Sequence, residues 1–127
     1  MDIRSIIAPT VTDLNALEEF IESLHDLAPS IEKDVSRLKN APDDRDILGN
    51  LFRSMHNIKG DATLCRVELA VAIAHPIETV LARLRNGEIT FSDILAEAVL
   101  LAIDRLELAV ESLRASRPLE NLRLLAL

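Results

Sequence analysis

The residues whose types and spacing could do chemistry gather between positions 45 and 63. Arg45, Gly49, Phe52, Arg53, His56, Lys59, Gly60 and Thr63 recur at steps of three or four, which stacks them along one strip of a helix. His56 is the reactive member, and Lys59 lies one turn on, where its cation stands beside any anion the imidazole carries. Gly49 and Gly60 bracket the histidine, although each costs on the order of 1 kcal/mol relative to alanine inside a helix. Bare backbone at those positions is worth that cost if a bulky partner must approach His56 closely. Phe52 and Arg53 then supply an apolar and a polar contact beside the histidine.

The other reactive side chains carry weaker patterns. His75 and Glu78 taken alone make an ordinary i,i+3 surface pair. Glu22 and His25 have the Glu-x-x-His spacing of di-iron bundles, but such sites need two copies and two further inward glutamates, so no metal site is expected. Cys65 is the single cysteine; it excludes an internal disulfide and reads as a small buried hydrophobe.

Four long helical segments must position these groups. Thr10 and Thr12 are candidate caps for a first helix with Leu14, Leu17, Phe20, Ile21, Leu24 and Leu27 on one face. Pro29 should kink or break it, leaving one bent helix or two end to end, with Ile31, Val35 and Leu38 continuing the apolar row. After the turn at Ala41-Pro42, Asp43 or Asp44 opens a helix whose stripe is Leu48, Leu51, Met55, Ile58 and Ala62. Thr63 can cap a third helix over about 64–85, with Val67, Ala70, Ile73, Ala74, Ile77, Leu81 and Leu84 inward and a kink expected near Ala72 from Pro76. Asn86-Gly87 suits its C-terminal cap. A capping box at Thr90-Phe91-Ser92-Asp93 starts the fourth helix, with two apolar rows: Leu95, Ala98, Ala102, Leu106, Ala109 and Leu113, and alongside it Val99, Ile103 and Val110.

The predicted fold is all-α: an antiparallel up-down-up-down four-helix bundle, with a short C-terminal fifth helix drawn from the leucine-rich residues 118–127 as an option. Residues 1–127 read as one domain, with its core over about 13–115. Composition agrees. Phe20, Phe52 and Phe91 are the only aromatics among 127 residues, and three glycines and five prolines leave little material for hairpins. The net charge of −7 argues against nucleic acid and anionic membrane as partners, since both want basic patches. No signal peptide or membrane span is evident, so a cytoplasmic location is expected. The leucine-rich tail could cap its own bundle or pair two chains; a monomer is the expectation over a homodimer.

The run Leu51-Phe52-Arg53-Ser54-Met55-His56-Asn57-Ile58-Lys59-Gly60 resembles the phosphorylation helix of histidine phosphotransfer (HPt) domains, whose signature is a histidine followed by lysine at the third position and glycine at the fourth. A second run, Ala74-His75-Pro76-Ile77-Glu78, is similar in content and spacing to the phosphotransfer domain of chemotaxis histidine kinases. Together with Arg83-Leu84-Arg85-Asn86-Gly87-Glu88 at the end of the third helix, the resemblance covers roughly residues 17–115.

That resemblance implies roles. His56 would accept a phosphoryl group on Nε2, Lys59 would stabilise its charge, and Gly60 would keep the approach open. Glu78 would accept a hydrogen bond from Nδ1–H of His56, and His75 would line the site. Gly49, Phe52 and Arg53 would meet the partner, which is the receiver domain of a response regulator or hybrid histidine kinase. No cofactor is expected on this chain, with Mg²⁺ belonging to the receiver. The implied protein is a phosphoryl carrier in a two-component phosphorelay, not an enzyme and without autokinase activity. The alternative is an unphosphorylated bundle that only docks receivers. Asp61 departs from the family's small residue after the glycine, and puts a negative charge near an anionic product or caps the next helix.

Overall fold

The computed structural model describes the backbone of residues 11–126 and the side chains of 15–115. Four helices follow one another: α1 Val11–Asn40, α2 Arg45–Leu64, α3 Glu68–Arg85 and α4 Asp93–Ala126. Each packs on its chain neighbour, and α1 closes the ring against α4, while diagonal pairs make no contact among the described residues. The ion pair of Glu18 with Arg114 and the hydrogen bond between His25 and Glu111 run in opposite order along α1 and α4, as antiparallel neighbours require. The architecture is the predicted antiparallel four-helix bundle.

Both internal prolines are tolerated for the same reason. Pro29 lies inside α1 and Pro76 inside α3, each on an exposed face, so the carbonyls they leave unbonded, of His25 and Ala72, can turn to water. α1 is therefore one helix rather than two end to end. The fifth helix does not form a separate element, because the backbone of α4 continues through Pro118 to Ala126. Packing by Leu119, Leu122, Leu124, Leu125 and Leu127 lies outside the described side chains, as does that of Leu14 and the caps at Thr10 and Thr12.

The core is a stack of aliphatic ridges. Leu17, Phe20, Leu24, Ile31 and Leu38 of α1 meet Leu51, Met55 and Ile58 of α2, all 2% exposed or less. From α4 the buried residues are Ala96, Val99, Ala102, Ile103, Leu106 and Val110; of the stripe expected to face the core, Leu95, Ala98, Ala109 and Leu113 are only half-buried, so the second row supplies most of the core surface. In α3 the buried residues are Ala70, Ala74, Leu81 and Leu84, and the first two, both 0% exposed, are small. Two alanines one turn apart let α3 approach α2 closely. Glu78 is the next residue along that same i+4 row, so this close approach carries its carboxylate to the edge of α2.

Helix ends show which caps operate. Asp44 accepts from the backbone N–H of Asp46 and Ile47 at the start of α2. Ser92, rather than Thr90, caps α4 by accepting from Leu95 N–H at 3.3 Å. Thr63 does not cap α3: its hydroxyl donates back to the Lys59 carbonyl at 2.8 Å, and α2 runs on to Leu64. The end of α2 is closed instead by its backbone, with Val67 N–H on Ala62 O and Arg66 N–H on Thr63 O. This Schellman turn needs a left-handed residue, and Arg66 fills it at φ 60°. A left-handed conformation penalises any residue with a Cβ, so Arg66→Gly is expected to raise stability by roughly 1 kcal/mol. Urea denaturation checks this; a lower midpoint for the variant would contradict it. Gly87, at φ 78°, closes α3 by the same turn, with Glu88 N–H on Arg83 O and Gly87 N–H on Leu84 O.

No helix among the described residues is long and apolar enough to cross a membrane.

Candidate functional site

His56 stands on the flank of α2, one residue past the buried Met55, so its ring projects beside the α2–α3 seam with 58% of the side chain exposed. Its Nδ1 lies 2.9 Å from Oε2 of Glu78. The second carboxylate oxygen, Oε1, accepts from Nζ of Lys59, also at 2.9 Å. One α3 carboxylate, 13% exposed, thus holds two α2 side chains that are themselves a turn apart.

The charge state of Glu78 fixes the tautomer of His56. Burial works to raise the carboxyl, but hydrogen bonds from Lys59 and His56 and the charges behind them outweigh it, and Glu78 sits below its ordinary value of 4.5. It is therefore a carboxylate at neutral pH and can only accept. In the neutral ring Nδ1 of His56 therefore carries the proton, and the lone pair is on Nε2, the nitrogen away from Glu78. The linked stability has a definite sign. A carboxyl depressed in the folded state stabilises the fold above its unfolded value, and that contribution is lost as pH falls through the folded value. The stability advantage of the wild type over Glu78→Gln is accordingly expected to narrow as pH drops below 4.5, as measured by chemical denaturation across that range. An advantage that widens there would refute the assignment.

The ring face is held as well. Phe52, one turn before His56, stacks against the imidazole with centroids 5.9 Å apart and planes 16° from parallel. Arg85, the last residue of α3, brings its guanidinium 4.0 Å from the centroid of the Phe52 ring. Sequence reading placed Phe52 beside the histidine but gave Arg85 no function. The available signal was a basic residue in the last turn of the helix that also carries Glu78.

The two glycines differ. A Cβ at Gly60 would meet nothing within 4 Å, so that side of His56 is open. Gly49 is buried, and a Cβ there would stand 3.4 Å from the Arg53 guanidinium, which lies over it and donates to Asn50. Gly49 therefore seats an arginine rather than presenting bare backbone to the outside. His75 is exposed one turn before Glu78 and makes no side-chain hydrogen bond or ion pair with the His56 group among the described residues; its backbone carbonyl accepts from the Thr79 hydroxyl. Asp61 does not cap α3; its carboxylate accepts from Ser23 on α1 at 3.2 Å. Together with Glu19, Glu22 and Asp26 it gives the groove beside His56, Lys59 and Gly60 an acidic wall.

Away from this strip, His25 pairs with Glu111 at 3.1 Å, and Cys65 is buried with its thiol donating to the Ala16 carbonyl. Among the described residues no three histidine, cysteine or acidic side chains converge to hold a metal ion.

The bundle thus presents a solvent-facing histidine held from behind by a carboxylate of the next helix. The Hpt domain family model matches residues 15–116, and the chain belongs to that family. It is 29% identical over 98 residues to the sensor histidine kinase CheAY of Helicobacter pylori, which covers 77% of this chain and 12% of that protein. It is also 29% identical over 103 residues to the chemotaxis protein CheA of Bacillus subtilis, covering 80% of this chain and 15% of the relative. The chain thus spans a small fraction of the length of these relatives. In fold it resembles the CheA phosphotransferase domain from Thermotoga maritima, with a TM-score of 0.73 at 22% identity over 76% of this chain and 91% of that domain. A computationally redesigned four-helix bundle has a TM-score of 0.71 at 16% identity, covering 76% of this chain and 95% of its own.

Proposed function

We propose that this chain carries a phosphoryl group on Nε2 of His56, taking it from a partner protein and passing it to a receiver-domain aspartate. The observation that carries the reading is the Glu78 carboxylate on Nδ1 of an exposed ring, which in the neutral imidazole assigns the lone pair to Nε2. In the transfer, the Nε2 lone pair attacks phosphorus of an aspartyl phosphate. The P–N bond forms as the P–O bond breaks, and the bonding pair leaves on the aspartate carboxylate. The product imidazole keeps its Nδ1 proton and gains positive charge, which Glu78 offsets; the reverse step returns the ring to neutrality.

Lys59 has three N–H donors and spends one on Glu78, so another is available for a phosphoryl oxygen. Gly60 leaves the approach clear, and Phe52 and Arg53 border it. In phosphoryl transfer the protein contributes mainly positioning and charge stabilisation, and on this reading Mg²⁺ and the rest of the machinery belong to the receiver. The chain itself is then a substrate arm without kinase activity of its own.

The test is to mix the purified chain with a radiolabelled phosphorylated receiver and look for acid-labile, base-stable label on the chain. Label on the chain supports the reading. Persistent absence with every cognate receiver refutes it, and receiver binding without label would indicate a docking module instead.

A further inference from the structure

We propose that Arg85 is a positioning residue for His56, acting through Phe52. This rests on the phosphoryl-carrier reading and adds to it a second fixed direction for the imidazole. The Glu78 hydrogen bond anchors one edge of the ring at Nδ1, but a single hydrogen bond at 2.9 Å leaves the ring free to swing about that anchor. With 58% of the side chain exposed, the bundle encloses little of it. The contact that restricts the swing is the Phe52 face, nearly parallel at 16°.

Phe52 in turn is only half-buried, packed against the core on one side, and needs its own restraint. The Arg85 guanidinium, 4.0 Å from the ring centroid, provides it: a planar cation over an aromatic face gains electrostatic energy and fills space at once. Arg85 arrives there because it lies seven residues after Glu78, two turns on along the same face of α3. The same helix therefore holds the imidazole twice, at its edge through Glu78 and at its face through Arg85 and Phe52. A nucleophile in line with an incoming phosphorus gains rate from such pre-orientation.

The experiment compares the whole chain with Arg85→Gln and Arg85→Lys. Nuclear magnetic resonance reads the Phe52–His56 ring cross-peaks, the ring-current shift of the His56 C–H protons and the mobility of the imidazole. Phosphoryl uptake is timed with two donors, phosphoramidate and a phosphorylated receiver. Arg85→Gln is expected to weaken the cross-peaks, move the His56 protons downfield and slow uptake from both donors by roughly two- to fivefold, the scale of an exposed cation–π contact. Arg85→Lys, which keeps the cation, should recover most of both signals.

A loss of thermal stability with unchanged cross-peaks and uptake would overturn the proposal by making Arg85 merely structural. A slowing confined to the receiver donor would overturn it too, as the mark of a docking contact. If the wild type takes phosphoryl from neither donor, the carrier reading fails separately, and the ring cross-peaks still decide whether Arg85 orders His56.

Discussion

His56→Gln is expected to reduce acid-labile phosphoryl uptake to background while leaving the bundle folded. Glutamine keeps an N–H that can donate to Glu78, so the partly buried carboxylate is not left without its partner on α2, and Lys59 stays on the other oxygen. What disappears is the nitrogen lone pair that forms the bond to phosphorus, since an amide nitrogen is not a nucleophile. The side chain is more than half exposed and the core beneath is Met55 and Ile58, which the substitution does not touch. Stability should therefore move by no more than about 0.5 kcal/mol. Radiolabel transfer and circular dichroism read the two effects separately. Residual label at the wild-type level would place the phosphoryl group elsewhere and remove the basis of the proposed function.

The largest effect on stability is expected at Phe20. It is 1% exposed, the bulkiest of the fully buried side chains, and it fills the space where α1 faces the end of α2 near Asp61 and Cys65. Phe20→Ala should cost about 3–5 kcal/mol, from lost burial plus the cavity that close-packed helices cannot wholly collapse. A domain of this size has only about 5–15 kcal/mol in hand, so a large part of the folded margin would go. Phe20→Leu, closer in volume, should cost less than about 1.5 kcal/mol. Urea denaturation of the three forms checks the order; equal midpoints for Phe20→Ala and wild type would mean that the core adjusts far more than its packing implies.

Much of this was legible in the residues, for identifiable reasons. The α2 stripe of Leu48, Leu51, Met55, Ile58 and Ala62 is buried as its spacing requires, because a helix of known period leaves no freedom in which positions share a face. The hydrogen bond between His56 and Glu78 is the one the family resemblance implied, whereas the hold of Glu78 on Lys59 was not foreseen. Features that depend on how two helices sit against each other were less accessible. That Glu78 holds both His56 and Lys59 depends on α3 closing on α2 through Ala70 and Ala74, and a one-dimensional pattern does not show that distance. The reach of Arg85 to Phe52 is of the same kind. On α4 two apolar rows satisfied the helical period equally well, and only packing against α1 and α3 selected Val99, Ile103 and Val110. The turn at Arg66 was hidden for a different reason: the left-handed position is held by an arginine, where a glycine would have signalled it.

The exposure of His56 has a bearing on timing. The ring sits on a helix flank beside an open groove, and the side next to Gly60 admits water as freely as it admits a partner. On the proposed reading, no described side chain encloses a phosphoryl group on that open side, so how long a signal persists is governed by resupply from the donor rather than by storage on the carrier.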